Sequence, residues 1–204
     1  MTPANRVFII DDDSAVRDAV ATLVESVGLH ANCFADADTF LAEYRGGTPG
    51  CLISDVCLPG TDGVQLQRIL KERRIEIPLI VISAHGDIPM AVEMVRRGAI
   101  DFIEKPFRNH VLLERIHEAL EKAERRHREY MADAQQRAHL ASLTPREKEV
   151  LPLLIDGHAN KIIARELSLS PRTVETHRAN ILRKMHADSV TSLARVLTPD
   201  LWQG

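Results

Sequence analysis

The sequence predicts an α/β, doubly wound, five-stranded parallel sheet and a small all-α domain, joined by a long helix. Short apolar runs alternate with helix-like segments over residues 6–120, which is typical of buried parallel strands with helices on both faces. No Gly or Pro interrupts residues 109–140, and short helices with tight turns follow. The predicted boundaries are 1–120 for the sheet domain, 121–141 for a helical linker and 142–204 for the C-terminal domain.

Turn-forming residues separate the predicted elements of the sheet domain. Gly28 ends the first helix, and the glycine- and proline-containing stretch 46–50 precedes the third strand. The predicted strands cover residues 7–10, 31–34, 51–55, 79–83 and 101–104. The predicted helices cover about 14–27, 37–44, 64–73, 88–97 and a last helix that begins at 109.

Composition narrows the class of protein. The chain has 204 residues, 45% of them apolar, and no apolar stretch approaches the roughly 18 residues of a membrane span. The residues before the first strand lack the apolar core of a signal peptide, so a cytoplasmic protein without a membrane partner is expected. The three cysteines are expected to be free thiols.

The two parts of the chain differ in net charge. Residues 1–120 carry a net charge of −6 and residues 121–204 one of +3, which hints at nucleic-acid binding by the second part.

Four predicted strands end next to charged or hydroxyl residues. Three aspartates follow the first strand, and later strands end at Asp55, at Ser83 and beside Lys105. Because carboxyl ends of parallel strands converge at one edge, these groups should meet there. Each alone is more often a surface residue, and Asp13 is expected to cap a helix. Together, clustered carboxylates favour Mg²⁺ over Zn²⁺ and predict phosphoryl transfer onto an aspartate.

Residues 6–120 resemble the bacterial response-regulator receiver domain, which has a flavodoxin-like fold. The matching motifs occur in order at the family's spacings: Ile10-Asp11-Asp12, Asp55 with Pro59-Gly60 and Gly63, Ser83-Ala84, and Lys105-Pro106-Phe107. The resemblance implies that Asp55 accepts a phosphoryl group. It also implies that Asp12 binds Mg²⁺ directly, that Asp11 acts mainly through water, and that the main-chain carbonyl of Cys57 is a further ligand.

The same resemblance assigns a switch. Ser83 and Phe102 match the family's pair in which the hydroxyl moves toward the phosphoryl group and the aromatic ring turns inward. Lys105 would pair with the phosphoryl group. Cys57 and His85 stand at positions that vary in the family and influence how long the phosphoryl group persists, and no lifetime is predicted from them.

The segment after residue 109 is expected to form one helix to about residue 140, roughly 45 Å long. Two interpretations of its second half stay open: a solvated charged tail, or a linker helix that pairs with a second copy. Beyond it, Thr144-Pro145-Arg146-Glu147 is a capping box that opens a first short helix, which ends before Gly157. A second helix contains residues 162–167, a third covers about 172–186 and a fourth about 189–197.

The third of these short helices carries surplus positive charge. Arg172, Arg178, Arg183 and Lys184 oppose only Glu175. In isolation such a helix would be read as a solvated cationic face. The two preceding helices and the tight turn before it favour insertion into the major groove of double-stranded DNA.

Residues 142–198 resemble the LuxR/FixJ-type helix-turn-helix. The matching motifs include Leu143-Thr144-Pro145-Arg146-Glu147, Glu149-Val150-Leu151, Asn160-Lys161 and Thr173-Val174-Glu175-Thr176-His177. The phosphate contacts that the resemblance implies are Lys161, Thr173, His177 and Lys184. The base-facing residues that it implies are Glu175, Thr176, Arg178 and Ala179. Many members have Lys where this chain has Glu175, and a carboxylate there would accept from a cytosine amino group. The fourth helix resembles the family's dimerisation helix, with Leu193 and Val196 as expected contacts.

Together the two resemblances imply a phosphorylation-activated transcriptional regulator of a two-component system, of the FixJ/NarL type. The implied partners are a histidine kinase, DNA, RNA polymerase and, on phosphorylation, a second copy of the chain. An aspartate-nucleophile phosphohydrolase would need a second Asp where this chain has Cys57, so an enzyme is not expected. A protein-interaction regulator without DNA binding is disfavoured by the charge of the third helix.

Overall fold

The computed structural model describes residues 6–84 and 88–197, and within these residues five strands form one parallel sheet. The strands are β1 (Arg6–Ile10), β2 (His30–Phe34), β3 (Gly50–Asp55), β4 (Leu79–Ser83) and β5 (Asp101–Glu104). Their order in the sheet is β2-β1-β3-β4-β5, and every neighbouring pair is parallel. The predicted fold class is therefore confirmed.

The helices fall where the sequence places them. Those of the first part are α1 (Ser14–Ser26), α2 (Ala37–Glu43), α3 (Gly63–Glu72), α4 (Ile88–Arg96) and α5 (Asn109–Ala141). Those of the second part are α6 (Pro145–Ile155), α7 (Asn160–Glu166), α8 (Pro171–Lys184) and α9 (Val190–Val196). Each strand, and each helix whose bounds were predicted, agrees with the prediction to within two residues at either end.

The sheet is covered on both faces, because alternate strand residues point to opposite sides. Val7 and Ile9 on β1 pack with residues of α1 and α5. Phe8 and Ile10, the alternate pair, pack with residues of α2, α3 and α4. Both sets are apolar, which explains why the strand reads as a continuous apolar run in the sequence.

A crevice lies at the carboxyl edge of the sheet, and the directions in which the chain leaves two neighbouring strands explain it. The chain leaves β1 toward α1 on one face and leaves the neighbouring β3 toward α3 on the other, so the two connections diverge. Gly63 begins α3 directly against the end of β3. A Cβ atom there would lie 2.6 Å from the main-chain oxygen of Asp55, so only glycine fits at this approach. The aspartates after β1 and the one that ends β3 border this crevice.

The chain divides into two compact units, residues 1–129 and 130–204, and the division falls inside α5. In α5 the buried residues run from Leu112 to Ala123, whereas Tyr130 and Met131 are exposed. This pattern is compatible with either interpretation of the second half of the helix, so both stay open. None of the helices that the structure describes is both long and apolar enough to span a membrane.

The second unit is built around an apolar cluster contributed by α6, α7, α8 and α9. Its side chains include Val150, Ile163, Val174 and Ile181, each 0% exposed. Leu193 also belongs to this cluster and is 1% exposed. The expectation that Leu193 contacts a second copy is therefore wrong, because its side chain is used to hold α9 on the core. The side chain of Val196 lies outside the described residues.

Candidate functional site

Three carboxylates meet at the carboxyl edge of the sheet. Asp11 follows β1 and is 0% exposed, Asp55 ends β3 and is 6% exposed, and Asp12 is open to solvent. One carboxylate oxygen from each lies within 4.8 Å of the others. The convergence predicted from the strand ends is confirmed for the three carboxylates.

Lys105 joins two of these carboxylates. Its Nζ donates hydrogen bonds of 2.6 Å to Asp11 Oδ2 and of 2.6 Å to Asp55 Oδ2. Lys105 reaches this position because it directly follows β5, and its main-chain N–H donates to the carbonyl of Ser83 at 2.8 Å. The ammonium therefore bridges carboxylates that belong to two adjacent strands, β1 and β3.

Main-chain N–H groups hold the remaining oxygens. The N–H of Asp13 donates to Asp11 Oδ1 and that of Cys57 to Asp55 Oδ1, each at 3.0 Å. Arg17 on α1 donates to the main-chain carbonyl of Asp11 at 2.7 Å, which fixes the loop from the other side. Asp13 itself accepts from the N–H of Ala15 and caps α1, as predicted.

Burial and charge compete at the titratable groups. Burial raises the pKa of Asp11 above its ordinary value, and the Lys105 ammonium offsets only part of that rise. Burial acts to lower the pKa of Lys105, but its hydrogen bonds to Asp11 and Asp55 outweigh burial and raise it. The lysine is therefore a fixed positive charge, and the carboxylates around it remain in excess.

The donor set fits a hard divalent cation. Three carboxylates face one ammonium, so the cluster keeps a net negative charge that Mg²⁺ would neutralise. Every side-chain atom that these three residues offer to a metal is a carboxylate oxygen, and the exposed Asp12 leaves the site open toward solvent. The main-chain carbonyl of Cys57 remains a predicted further ligand. The acidic cluster is compatible with Mg²⁺ binding.

The predicted switch pair lies on the neighbouring strands β4 and β5. Ser83 ends β4 and is 0% exposed, while Phe102 is half-buried in β5 and packs against the cluster that contains Met94 of α4. Phe102 pairs with Val81 in the sheet, two residues before Ser83. The switch itself stays a prediction.

The predicted recognition helix α8 presents one solvent-exposed face. Val174 and Ile181 are buried, as expected of core positions, while Glu175, Thr176 and Ala179 are exposed. The remaining predicted contacts Thr173, His177 and Arg178 are half-buried, and Lys161 is exposed on α7. Ser170 caps the helix by accepting from the N–H of Thr173 at 3.1 Å, with Pro171 at its first turn. The turn from α7 brings the short α7 and α8 together as predicted.

Lys184, another predicted phosphate contact, makes two hydrogen bonds within the second unit. Its Nζ donates to Glu147 Oε2 at 2.7 Å and to the carbonyl of Ser142 at 3.1 Å, both within the second unit. The Glu147 side chain is 4% exposed and that of Lys184 is 24% exposed. This pair gives Lys184 a structural role inside the second unit, and its expected phosphate contact stays a prediction.

Comparison with known proteins decides the family. Residues 7–117 match the family described as response regulator receiver domain, and residues 141–197 match bacterial regulatory proteins of the luxR family. The chain belongs to the response regulators with a LuxR-type domain. It is accordingly a phosphorylation-activated, DNA-binding transcriptional regulator of a two-component system, and this class implies a histidine kinase and DNA as partners.

Individual relatives cover nearly the whole response regulator. It is 41% identical to the transcriptional regulatory protein FixJ of Bradyrhizobium diazoefficiens over 196 residues, 96% of each chain. It is 44% identical to the response regulator protein TodT of Pseudomonas putida over 193 residues, 95% of this chain and 85% of the relative. The solved structure of the response regulator StyR superposes with a TM-score of 0.90 at 39% identity, covering 95% of this chain and 98% of that one.

Two features of this response regulator were not anticipated from its sequence. Arg17 supports the acidic loop, although nothing in the sequence distinguishes it from other charged residues of α1. Arg172 and Arg183 were counted in the charge of the helix but not among the DNA contacts, and both are exposed on α8. Their exposure makes them better placed to meet phosphates than Lys184 is. The helical spacing of 172, 176, 179 and 183 could have indicated this shared face.

Proposed function

We propose that Asp55 is the phosphoacceptor and that Mg²⁺ is held by Asp11, Asp12, Asp55 and the main-chain carbonyl of Cys57. The observation that carries this proposal is the Lys105 ammonium bridging Asp11 and Asp55 within a cluster of excess carboxylates. Asp55 ends β3 at the carboxyl edge of the sheet, and Gly63 lets α3 begin directly against the main chain of Asp55. Mg²⁺, when bound, offsets the charge of the incoming phosphoryl group.

The reaction is a transfer from a phosphohistidine of the kinase. An Asp55 oxygen attacks phosphorus, an O–P bond forms, and the N–P bond of the donor breaks. The Cys57 N–H holds the other Asp55 oxygen and so orients the carboxylate for attack. Lys105 already lies at 2.6 Å from Asp55 and exchanges the carboxylate for the new phosphoryl oxygens.

The signal then passes to α4 and β5. Ser83 turns its hydroxyl toward the phosphoryl group, and Phe102 turns inward beside it. The adjacent helix α4 carries three exposed apolar side chains at helical spacing, Ile88 at 80%, Val92 at 50% and Val95 at 43%. An exposed apolar stripe of this kind suits association with a second copy. Dimerisation follows phosphorylation only if the two states differ in affinity for that copy.

The output is binding of paired DNA half-sites in the cytoplasm, with RNA polymerase as a further partner. Thr176, Arg178 and Ala179 face bases, and Glu175 accepts from a cytosine amino group. Lys161, Thr173 and His177 contact phosphates, and Arg172 and Arg183 replace Lys184 in that role. The proposed domains remain 1–120, 121–141 and 142–204.

The site assignment is tested by phosphorylation of two matched variants. Wild type, Asp55→Asn and Asp13→Asn are incubated with Mg²⁺ and a small phosphodonor, and intact mass is measured. Both substitutions change a carboxylate to an amide, but Asp13 lies outside the cluster and asparagine can still cap α1. Wild type and Asp13→Asn should gain one phosphoryl group, and Asp55→Asn should gain none. A modified Asp55→Asn would remove Asp55 from the mechanism.

A further inference from the structure

A glutamine is buried in the face that α3 turns toward the core. The buried residues of α3 are Gly63, Leu66, Gln67 and Leu70, a spacing that ordinarily carries apolar side chains. Gln67 is 7% exposed, and its Nε2 donates a 2.9 Å hydrogen bond to the main-chain carbonyl of Met94 in α4. Its Oε1 is buried and accepts from none of the residues that the structure describes.

Such a residue is an unfavourable choice for stability alone. A buried carbonyl oxygen without a donor keeps the full desolvation cost, whereas a leucine of similar volume would carry none. Departures from the apolar pattern at a core position are expected where function requires them. The hydrogen bond that Gln67 makes to Met94 is therefore the feature that needs an explanation.

That bond lies at the C-terminal end of α4. The carbonyl of Met94 also accepts from the N–H of Ala99 at 3.1 Å, and the N–H of Gly98 donates to Val95 at 2.9 Å. Gly98 has φ +108°, as expected of a glycine that ends a helix. Gln67 thus adds a bond from a second helix to the group that closes α4.

The C-terminal end of α4 is the end that Gln67 holds. Its C-terminal end is tied to α3 through Gln67, whereas its N-terminal end follows β4 and the buried Ser83. The exposed side chains Ile88, Val92 and Val95 lie along the helix between these ends. A change at the Ser83 end can therefore reorient the apolar stripe about the end that Gln67 holds.

We propose that Gln67 is a positioning residue that anchors α4 in the orientation seen here, in which Lys105 pairs with Asp55, and that this is the resting orientation. The anchor restrains the apolar stripe of α4 until phosphorylation, so it sets the difference between the two states in affinity for a second copy. This inference rests on the proposed function for the identity of the signal. The anchoring contact itself does not depend on it.

Hydrogen exchange of the full chain tests the anchor directly. Gln67→Leu removes the donor, and Gln65→Leu makes the same change at an exposed position of the same helix. Loss of one hydrogen bond should speed exchange of the Gly98 and Ala99 amides by about 2- to 12-fold in Gln67→Leu and leave Gln65→Leu unchanged. Equal rates in wild type and Gln67→Leu would overturn the anchor. Gln67→Met, an unbranched apolar side chain, repeats the measurement if Gln67→Leu packs badly.

Dimerisation tests the regulatory part. Phosphoryl uptake on Asp55 is measured by mass, and dimer dissociation constants are measured by sedimentation with and without the phosphodonor. Gln67→Leu should take up the phosphoryl group normally, yet its unmodified form should dimerise more readily, shrinking the ratio of the two constants by about 2- to 12-fold. An unchanged ratio would overturn the proposal. A wild type that is phosphorylated but stays monomeric would contradict the proposed function instead, and the anchor would then be decided by the exchange rates.

Discussion

Two lysines in this protein make nearly the same contact but have different roles. Lys105 bonds Asp11 and Asp55 at 2.6 Å each, and Lys184 bonds Glu147 at 2.7 Å. The two lysine side chains are 14% and 24% exposed. Distance and burial alone would give both pairs the same interpretation.

The difference lies in the balance of charge. At Lys105 three carboxylates face one ammonium, so negative charge remains for a divalent cation to neutralise, and that cation would in turn offset the charge of a phosphoryl group. At Lys184 one carboxylate meets one ammonium. The N–H of Thr144 also donates to Glu147, and the carbonyl of Ser142 accepts from Lys184. We interpret the cluster with unbalanced charge as a binding site and the balanced pair as structural support.

The largest expected effect comes from breaking the balanced pair. Lys184→Met leaves the Glu147 carboxylate buried without its cation, which should lower the free energy of unfolding of the second unit by about 2 to 3 kcal/mol, less than for a fully buried pair because Lys184 is partly exposed. Denaturant unfolding of the full chain, followed by probes in residues 130–204, measures this loss. Adding the second change, Glu147→Gln, should recover part of it. A loss below about 0.5 kcal/mol would put Lys184 among ordinary surface charges.

The unbalanced cluster should respond to Mg²⁺. At ten times its dissociation constant, Mg²⁺ should stabilise the first unit by about 1.4 kcal/mol, because only the folded state gathers the three carboxylates. Calorimetry with and without Mg²⁺ measures this gain, which should shrink in Asp12→Asn. Glu147→Gln should respond as wild type does. Equal responses in Asp12→Asn and wild type would take Asp12 out of the metal site.

Acid should weaken the balanced pair in a defined direction. Burial acts to raise the pKa of Glu147, but hydrogen bonds from Lys184 and Thr144 outweigh burial and hold the pKa below its ordinary value of 4.5. The unfolded state therefore binds the proton first as pH falls. The stability that Glu147 contributes is present above about pH 4.5 and is lost as pH falls through the lower, folded-state pKa. Unfolding curves of wild type and Glu147→Gln should converge below that window. A difference in stability between wild type and Glu147→Gln that stays the same at every pH would show that Glu147 is not the source of the pH dependence.

The smallest effect separates structural from DNA-contacting cations. Lys161→Ala should reduce the dependence of log affinity for DNA on log salt by about one unit, as expected for the loss of one phosphate contact. Lys184→Met, measured where it remains folded, should leave that slope unchanged. A reduced slope in Lys184→Met would show that Lys184 contacts DNA phosphates as well as Glu147.

Local patterns explain how much the sequence could predict. The strands were evident because buried parallel strands are continuous apolar runs, and the site followed because their carboxyl ends must converge. The Thr144–Glu147 capping box was equally local and is present. The second role of Glu147 was not visible, because its partner Lys184 lies 37 residues further along the chain.

The same limit applies to residues whose meaning depends on burial. From the sequence, Gln67 is a polar residue of an amphipathic helix. Only the structure shows that it is buried and bonded to the carbonyl of Met94. From the sequence, Leu193 is expected to be a dimer contact, but the packing of α9 places its side chain in the core. In both cases the sequence gives the helix but not its rotation about its own axis, and one-residue differences in that rotation decide which side chains are buried.

The central claim is that phosphorylation of Asp55 controls DNA binding by the second unit. It is tested most directly by DNA affinity at constant salt, measured for wild type and Asp55→Asn with Mg²⁺, with and without a small phosphodonor. Phosphodonor should tighten binding by wild type to a paired half-site by at least about tenfold and leave Asp55→Asn unchanged. Equal affinity of wild type in both conditions, with uptake of the phosphoryl group confirmed by mass, would contradict the account.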